Sequence, residues 1–373
     1  MQTDIYARLR DLAVSAEAKP EEMRPILLRI TTDLFVLHDQ HTPQEIRLYE
    51  EMAGKLIDDA DEASLNLVAR KLARCADAPA SVLQRIRARG GAPAHEILRV
   101  YARIESRELR QIAASGPCDQ ATAIAGRSDL DREISKILAG RQEREIARAL
   151  AANALAPLAV EDLRLLCARG REDSALARAL LSRSDLTLDH LPLYLAADAE
   201  QREKLIGLVR VESLASAGRN DASEPLMDAA CVRLEEGALR QKRSSFALVL
   251  AEILGCDPLC ARKIVDDENG DALTLAFIAI GLPQSIGARI FLVAFPKVAL
   301  SAEIFRRNLA MFDWLPRRDA SRIVAAISGE ARRADAAYLR AQGRRAPLGH
   351  GAATEQQMDP ARDEERVIPA LRR

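Results

Sequence analysis

The chain has 373 residues, with 54 basic and 55 acidic side chains, and 48% of its residues are hydrophobic. Near-neutral charge excludes a global field that would draw in nucleic acid or a membrane surface. Hydrophobic content on this scale excludes a disordered chain. Aromatic residues make up 3%, so the core must come from Leu, Ile, Val and Ala, residues compatible with helices. The first ten residues mix Asp4, Arg8 and Arg10 among apolar ones and lack the apolar centre of a signal peptide. The longest apolar run, from Ala272 to Gly281, is too short for a membrane helix, which needs roughly 18 residues.

Residues 1–41 are expected to form N-terminal helices. Thr42-Pro43-Gln44-Glu45 then reads as a helix start, with Thr42 as cap, Pro43 at the first helical position and Glu45 closing a capping box. Ile46, Tyr49, Met52, Ala53 and Leu56 follow as one apolar stripe. From here to residue 216 the sequence repeats itself. The stretches starting at Leu72, Val100, Ile124, Leu150 and Leu180 each end a helix with apolar and small residues. A polar residue comes next: Arg74, Arg103, Arg127, Asn153 and Arg183 in turn. Arg-Ser-Asp-Leu at 127–130 recurs at 183–186. One helix pair of this length cannot bury its own apolar face, whereas stacked pairs can. The predicted fold is therefore all-α, an α-solenoid of stacked helix pairs forming a HEAT-like superhelix.

Ala217 to Asp221 reads as a hinge. Beyond it, the stretch from Leu248 aligns with that from Leu275 at an offset of 27, pairing Leu259 with Ile286 and Ala261-Arg262 with Ala288-Arg289. Residues 222–340 are expected to continue the array. Residues 341–373, rich in Gly, Pro, Gln and charge, are expected to be a disordered tail.

The Arg-Ser-Asp-Leu motif, the Asn-Ala-Leu-Ala-Pro variant at 153–157, and the later leucine-rich helices with Gly-Cys-Asp-Pro and Gly-Leu-Pro turns together carry a resemblance. They are similar to a bacterial family known as domain of unknown function 2336, over Thr42 to Phe312. The resemblance implies a relative of the HEAT-type and leucine-rich-variant repeats, and it brings no catalytic residues.

The arginines have two readings. In Arg103/Glu105, Arg127/Asp129 and Arg183/Asp185 an acid follows two positions after the Arg. A planar guanidinium can hold two acceptors at once, so these pairs suit a structural ladder between repeats. The other reading is a row of cations facing phosphates or an acidic peptide. His38 and His41, three apart, flank a helix end and lack a metalloprotease motif. Cys256 and Cys260 have neither redox spacing nor further zinc ligands nearby, and all six cysteines read as reduced, mostly buried thiols of a cytoplasmic protein. Leu275 to Phe295 loosely resembles a helix-turn-helix, but its second helix carries core residues, not an exposed reading face. Phosphate-binding glycine loops and nucleophile elbows are missing, and the carboxylate runs at 58–62 and 266–268 fall at predicted turns. The expectation is a non-enzymatic scaffold without cofactor or metal that binds a protein or peptide and no membrane. Duplex binding through the arginine row is the alternative, and an enzyme with a dispersed site comes last.

Overall fold

A computed structural model describes residues 24–38, 40–215, 228–239 and 243–329. Residues 1–23, the hinge expected at 217–221 and the tail expected at 341–373 lie outside these. Every regular element among the described residues is helical, so the chain is all-α there. No single helix among them is long and apolar enough to cross a membrane.

Eleven α-helices lead the described chain: α1 (Arg24–Val36), α2 (Pro43–Leu56), α3 (Glu62–Leu72), α4 (Ala80–Ala88), α5 (Gly91–Val100), α6 (Ser106–Ser115), α7 (Cys118–Ala125), α8 (Arg132–Gly140), α9 (Arg144–Ala152), α10 (Val160–Gly170) and α11 (Ser174–Leu181). Local chemistry fixes where they begin. At α2 the Thr42 hydroxyl accepts from the Glu45 N–H at 3.3 Å, and the Glu45 carboxylate accepts from the Thr42 N–H at 2.7 Å. Asp61, Asp131 and Asp173 cap α3, α8 and α11 through side-chain oxygens that accept otherwise unpaired N–H groups.

The buried stripe of these helices is a large residue next to a small one, repeated one turn later. Ile134-Ser135 with Leu138-Ala139 and Ile146-Ala147 with Leu150-Ala151 are examples. The small residues let neighbouring helices approach closely while the large ones fill the gaps. Helices two apart in sequence pack together. Among odd-numbered helices α1 packs on α3, α3 on α5, α5 on α7, α7 on α9 and α9 on α11. Among even-numbered ones α2 packs on α4, α6 on α8 and α8 on α10.

A 3-10 segment (Leu188–Ala196) packs on α10 and α11 and ends this alternation. The remaining helices are α12 (Ala199–Ala215), α13 (Asp228–Leu239), α14 (Arg243–Leu254), α15 (Pro258–Val265), α16 (Asp271–Ile280), α17 (Gln284–Ala294), α18 (Pro296–Ala299), α19 (Ala302–Trp314) and α20 (Arg317–Ser328). They gather about α16, which packs on α14, α15, α19 and α20. Of its residues, Asp271 to Ile278 and Ile280 are buried. A helix apolar on every side has no stripe to align with a neighbour and must be surrounded instead. Phe246, Phe277, Phe291 and Phe295 meet edge-to-face around it, with ring centroids 5.7–6.5 Å apart. The apolar run that resembled half of a helix-turn-helix is this core helix.

Candidate functional site: a ladder of side chains on repeat carbonyls

The last carbonyls of a helix have no partner within it. In the array, polar side chains from the following repeat supply those partners. Arg127, just past α7, donates from Nη1 to the carbonyls of Leu98 and Tyr101 at 2.6 and 3.0 Å, at the end of α5. Its other edge grips Asp129, with Nε and Nη2 each 2.7 Å from a carboxylate oxygen. Asn153, past α9, donates from Nδ2 to the carbonyls of Ala125 and Arg127 at 2.9 and 2.6 Å. Arg183, past α11, donates to the carbonyls of Asn153 at 2.8 Å and Ala156 at 3.3 Å, and its fork holds Asp185. Gln201 closes the series. It donates from Nε2 to the Leu181 carbonyl at 3.0 Å, two residues before Arg183, as Ala125 lies two residues before Arg127.

Each rung therefore grips the main chain of the rung before it. Tyr101, Arg127 and Asn153 are 26 residues apart, and Arg183 follows after 30. Arg127 is 2% exposed and Arg183 7%, while the Asp129 and Asp185 side chains are half or more exposed. The hydrogen bonds from Arg183 hold the Asp185 carboxyl below the usual range.

Arg74 and Arg103, expected in the same row, are not rungs. Arg74 is exposed; it donates to the carbonyl of Arg70 at 2.6 Å and pairs with Glu96 at 3.3 Å. Arg103 is exposed in the turn after α5 and forms no ion pair with Glu105. The rung register falls three residues after Leu72, Leu98, Ile124, Leu150 and Leu180. It passes through Cys75 and Tyr101, so searching for arginine displaced the reading by one and two residues.

A second row, missed in the sequence, sits at the ends of the even-numbered helices. Arg89 donates to the carbonyls of Ile57, Asp58 and Ala60. Arg141 donates to Ala113 and Gly116, both at 3.1 Å, and grips Glu143. Arg169 donates to the Arg141 carbonyl at 2.6 Å. The signal was present, because Arg141-x-Glu143 has the spacing of Arg127-x-Asp129 and Arg183-x-Asp185. Hydrogen bonding to Arg141 pulls the Glu143 carboxyl down to about 2.

A third set joins α12 to the helices around α16. Arg202 is bidentate to Asp267 at 2.8 and 3.0 Å and reaches Asp271 at 3.2 Å. All three side chains are at most 8% exposed. Arg307 reaches Asp271 from the other side at 2.8 Å, and the Arg202 guanidinium lies 5.1 Å from the Tyr194 ring centroid. Two carboxylates facing two guanidiniums balance this cluster.

His41 stacks on Phe35 at 3.9 Å between ring centroids and contacts the Phe35 carbonyl through Nε2. Among the described residues no group of three or more His, Cys, Asp and Glu side chains is placed to hold a metal ion.

No curated protein and no solved structure matches the chain. Residues 94–325 match the profile of a family described as an uncharacterised protein conserved in bacteria, DUF2336. That span runs from α5 to α20 and includes the ladder, the Arg202 cluster and the helices around α16. The chain belongs to this bacterial family.

Proposed function

We propose that the chain is a non-enzymatic scaffold of the cytoplasm whose α1–α11 array, a HEAT-like α-solenoid, binds a protein or peptide partner. The observation carrying this reading is the destination of the rung side chains. Arg127, Asn153 and Arg183 are engaged with internal carbonyls, and the two arginines also with acids two residues away, so their work is to join repeats. Even the surface cations are widely paired between helices, as in Arg110–Glu133 and Arg164–Asp189. Duplex binding through the arginine row needs exposed cations that release counterions on contact with phosphate. The burial of Arg127 and Arg183 supports the scaffold reading over that one.

The test has two arms. Duplex DNA titrated into the full chain at several salt concentrations is expected to give no salt slope that depends on Arg127 or Arg183. A slope that falls by about one unit in each alanine variant would overturn the reading. In the second arm, a protein captured from nuclease-treated lysate is purified and titrated by calorimetry. Saturable binding, with crosslinks mapping to α1–α11, is expected. Crosslinks confined to residues outside the array would overturn the assignment of the binding surface.

A further inference from the structure

Helix α12 turns one face inward and one outward. Arg202, Leu205, Ile206 and Val209 are buried on the inner face. Towards its end Glu212 pairs with Arg322 and Ser213 donates to Asp319, both on α20. The outer face is the stripe Glu203, Gly207, Arg210 and Leu214, spaced four, three and four residues apart, with Val211 alongside. All five are exposed, Val211 at 68% and Leu214 at 73%. Among the described residues, then, nothing covers this stripe.

Gly207 lies in the middle of the stripe. Glycine weakens a helix interior, because it gives up more backbone freedom on folding than any other residue. Gly170 and Gly287 have an internal reason for it, since a Cβ there would lie 2.9 Å from Leu193 and 3.0 Å from Phe312. Gly207 has none. Among the described residues no atom lies within 4 Å of where its Cβ would be. What the missing side chain permits is close approach by a helix from outside. The charges on the stripe point the same way. Lys204 is paired with Glu200, but Glu203 and Arg210 have no ion-pair partner among the described residues. The Arg210 guanidinium lies instead 5.2 Å from the ring centroid of Trp314, which is itself 42% exposed. Exposed Trp and Arg side chains are the commonest anchors of protein interfaces.

We propose that the outer face of α12 is a dimerisation surface. Its occupant is α12 of a second copy of this chain, crossing antiparallel about a two-fold axis at Gly207. The order of charges selects this occupant. Acid precedes base along the stripe, so a reversed copy sets Glu203 of each chain against Arg210 of the other. The same register brings Leu214 of each copy over the exposed Ala199 of the other, which covers an apolar side chain at both ends. Gly207 meets its own counterpart at the axis, where two larger side chains would collide. Trp314, held by Arg210, lies beside the crossing. The scaffold reading places a different partner on α1–α11, and neither reading depends on the other.

Sedimentation velocity on the full chain over a dilution series is expected to show a reversible dimer. Trp314, the chain's one tryptophan, reports it independently. Its emission is expected to move to shorter wavelength with the same concentration dependence. Gly207→Gln adds a side chain where the single chain has room for one. It is expected to raise the dimer Kd by about tenfold or more, while the melting temperature of the monomer holds or rises. Glu203→Arg and Arg210→Glu each set like charges against one another in a dimer, and each is expected to be monomeric alone. Mixed together they are expected to associate, because only the mixed pair places every charge against its opposite. A chain that stays monomeric at every concentration would overturn the proposal. So would a dimer that Gly207→Gln leaves intact, or charge variants that behave the same mixed as alone.

Discussion

The Arg183 guanidinium donates to the Asn153 carbonyl at 2.8 Å, while the Asn153 side chain donates to the Arg127 carbonyl at 2.6 Å. Arginine and asparagine thus perform one task at successive rungs. Both present more than one N–H donor, which is what a frayed helix end requires.

Arg127→Ala is expected to lower the melting temperature. It leaves the Leu98 and Tyr101 carbonyls without their donor in a buried setting, at a cost of about 1–3 kcal/mol for each group left unpaired. Arg183→Ala is expected to act in the same direction. Thermal melts followed by circular dichroism check both, and a melt within error of wild type would refute the structural role.

Asn153→Asp changes little in shape but replaces two N–H donors with a carboxylate facing the Ala125 and Arg127 carbonyls. Destabilisation of about 1–3 kcal/mol is expected from the lost donors. Urea denaturation measures it. Asn153→Gln is expected to recover less than half, because the longer side chain places its amide away from both acceptors.

Arg202→Met keeps much of the side-chain volume and leaves Asp267 and Asp271 buried with only Arg307 opposite. Breaking a buried pair in this way costs about 3–5 kcal/mol. Because Arg202 lies on α12 and both acids precede or open α16, early loss of protection is expected at the α12 and α16 amides. Hydrogen exchange read by mass spectrometry would show it, and uniform exchange across the chain would count against this placement.

Acid should weaken the even-helix row through Glu143. Its carboxyl moves from the ordinary 4.5 to about 2 on folding, so the folded chain holds its proton less tightly than the unfolded one. That contribution is fully present above pH 4.5 and is lost as the pH falls towards 2. Asp185 is shifted the same way and adds to the same slope. Glu143→Gln should flatten part of the loss in denaturation curves taken across this range. An unchanged slope would show that the Arg141–Glu143 pair contributes nothing to folding.

The capping box at Thr42 and Glu45 was readable in four letters because its chemistry is local. The all-helical class was equally readable from apolar spacing. The ladder was readable only in part. Arg127 and Arg183 share a motif, and Asn153 stood out as a variant of it. The register through Tyr101 was hidden, because that position contributes a main-chain carbonyl that leaves no mark on residue type. The Arg202 cluster joins residues 65 and 69 apart, a distance over which no periodic pattern points from one partner to the other. Helix α16 was readable only in part for a related reason. Its apolar run shows that it is buried, but not which four helices surround it.

The direction of the ladder bears on how the chain is made. Every donor belongs to a later repeat and every acceptor to an earlier one. A ribosome releases the acceptor first, so each emerging helix pair meets a row of waiting carbonyls on the part already formed. Growth of the array is in this sense templated from its N-terminal side. Gln201, which answers the Leu181 carbonyl from outside the repeat pattern, is where that assembly line stops.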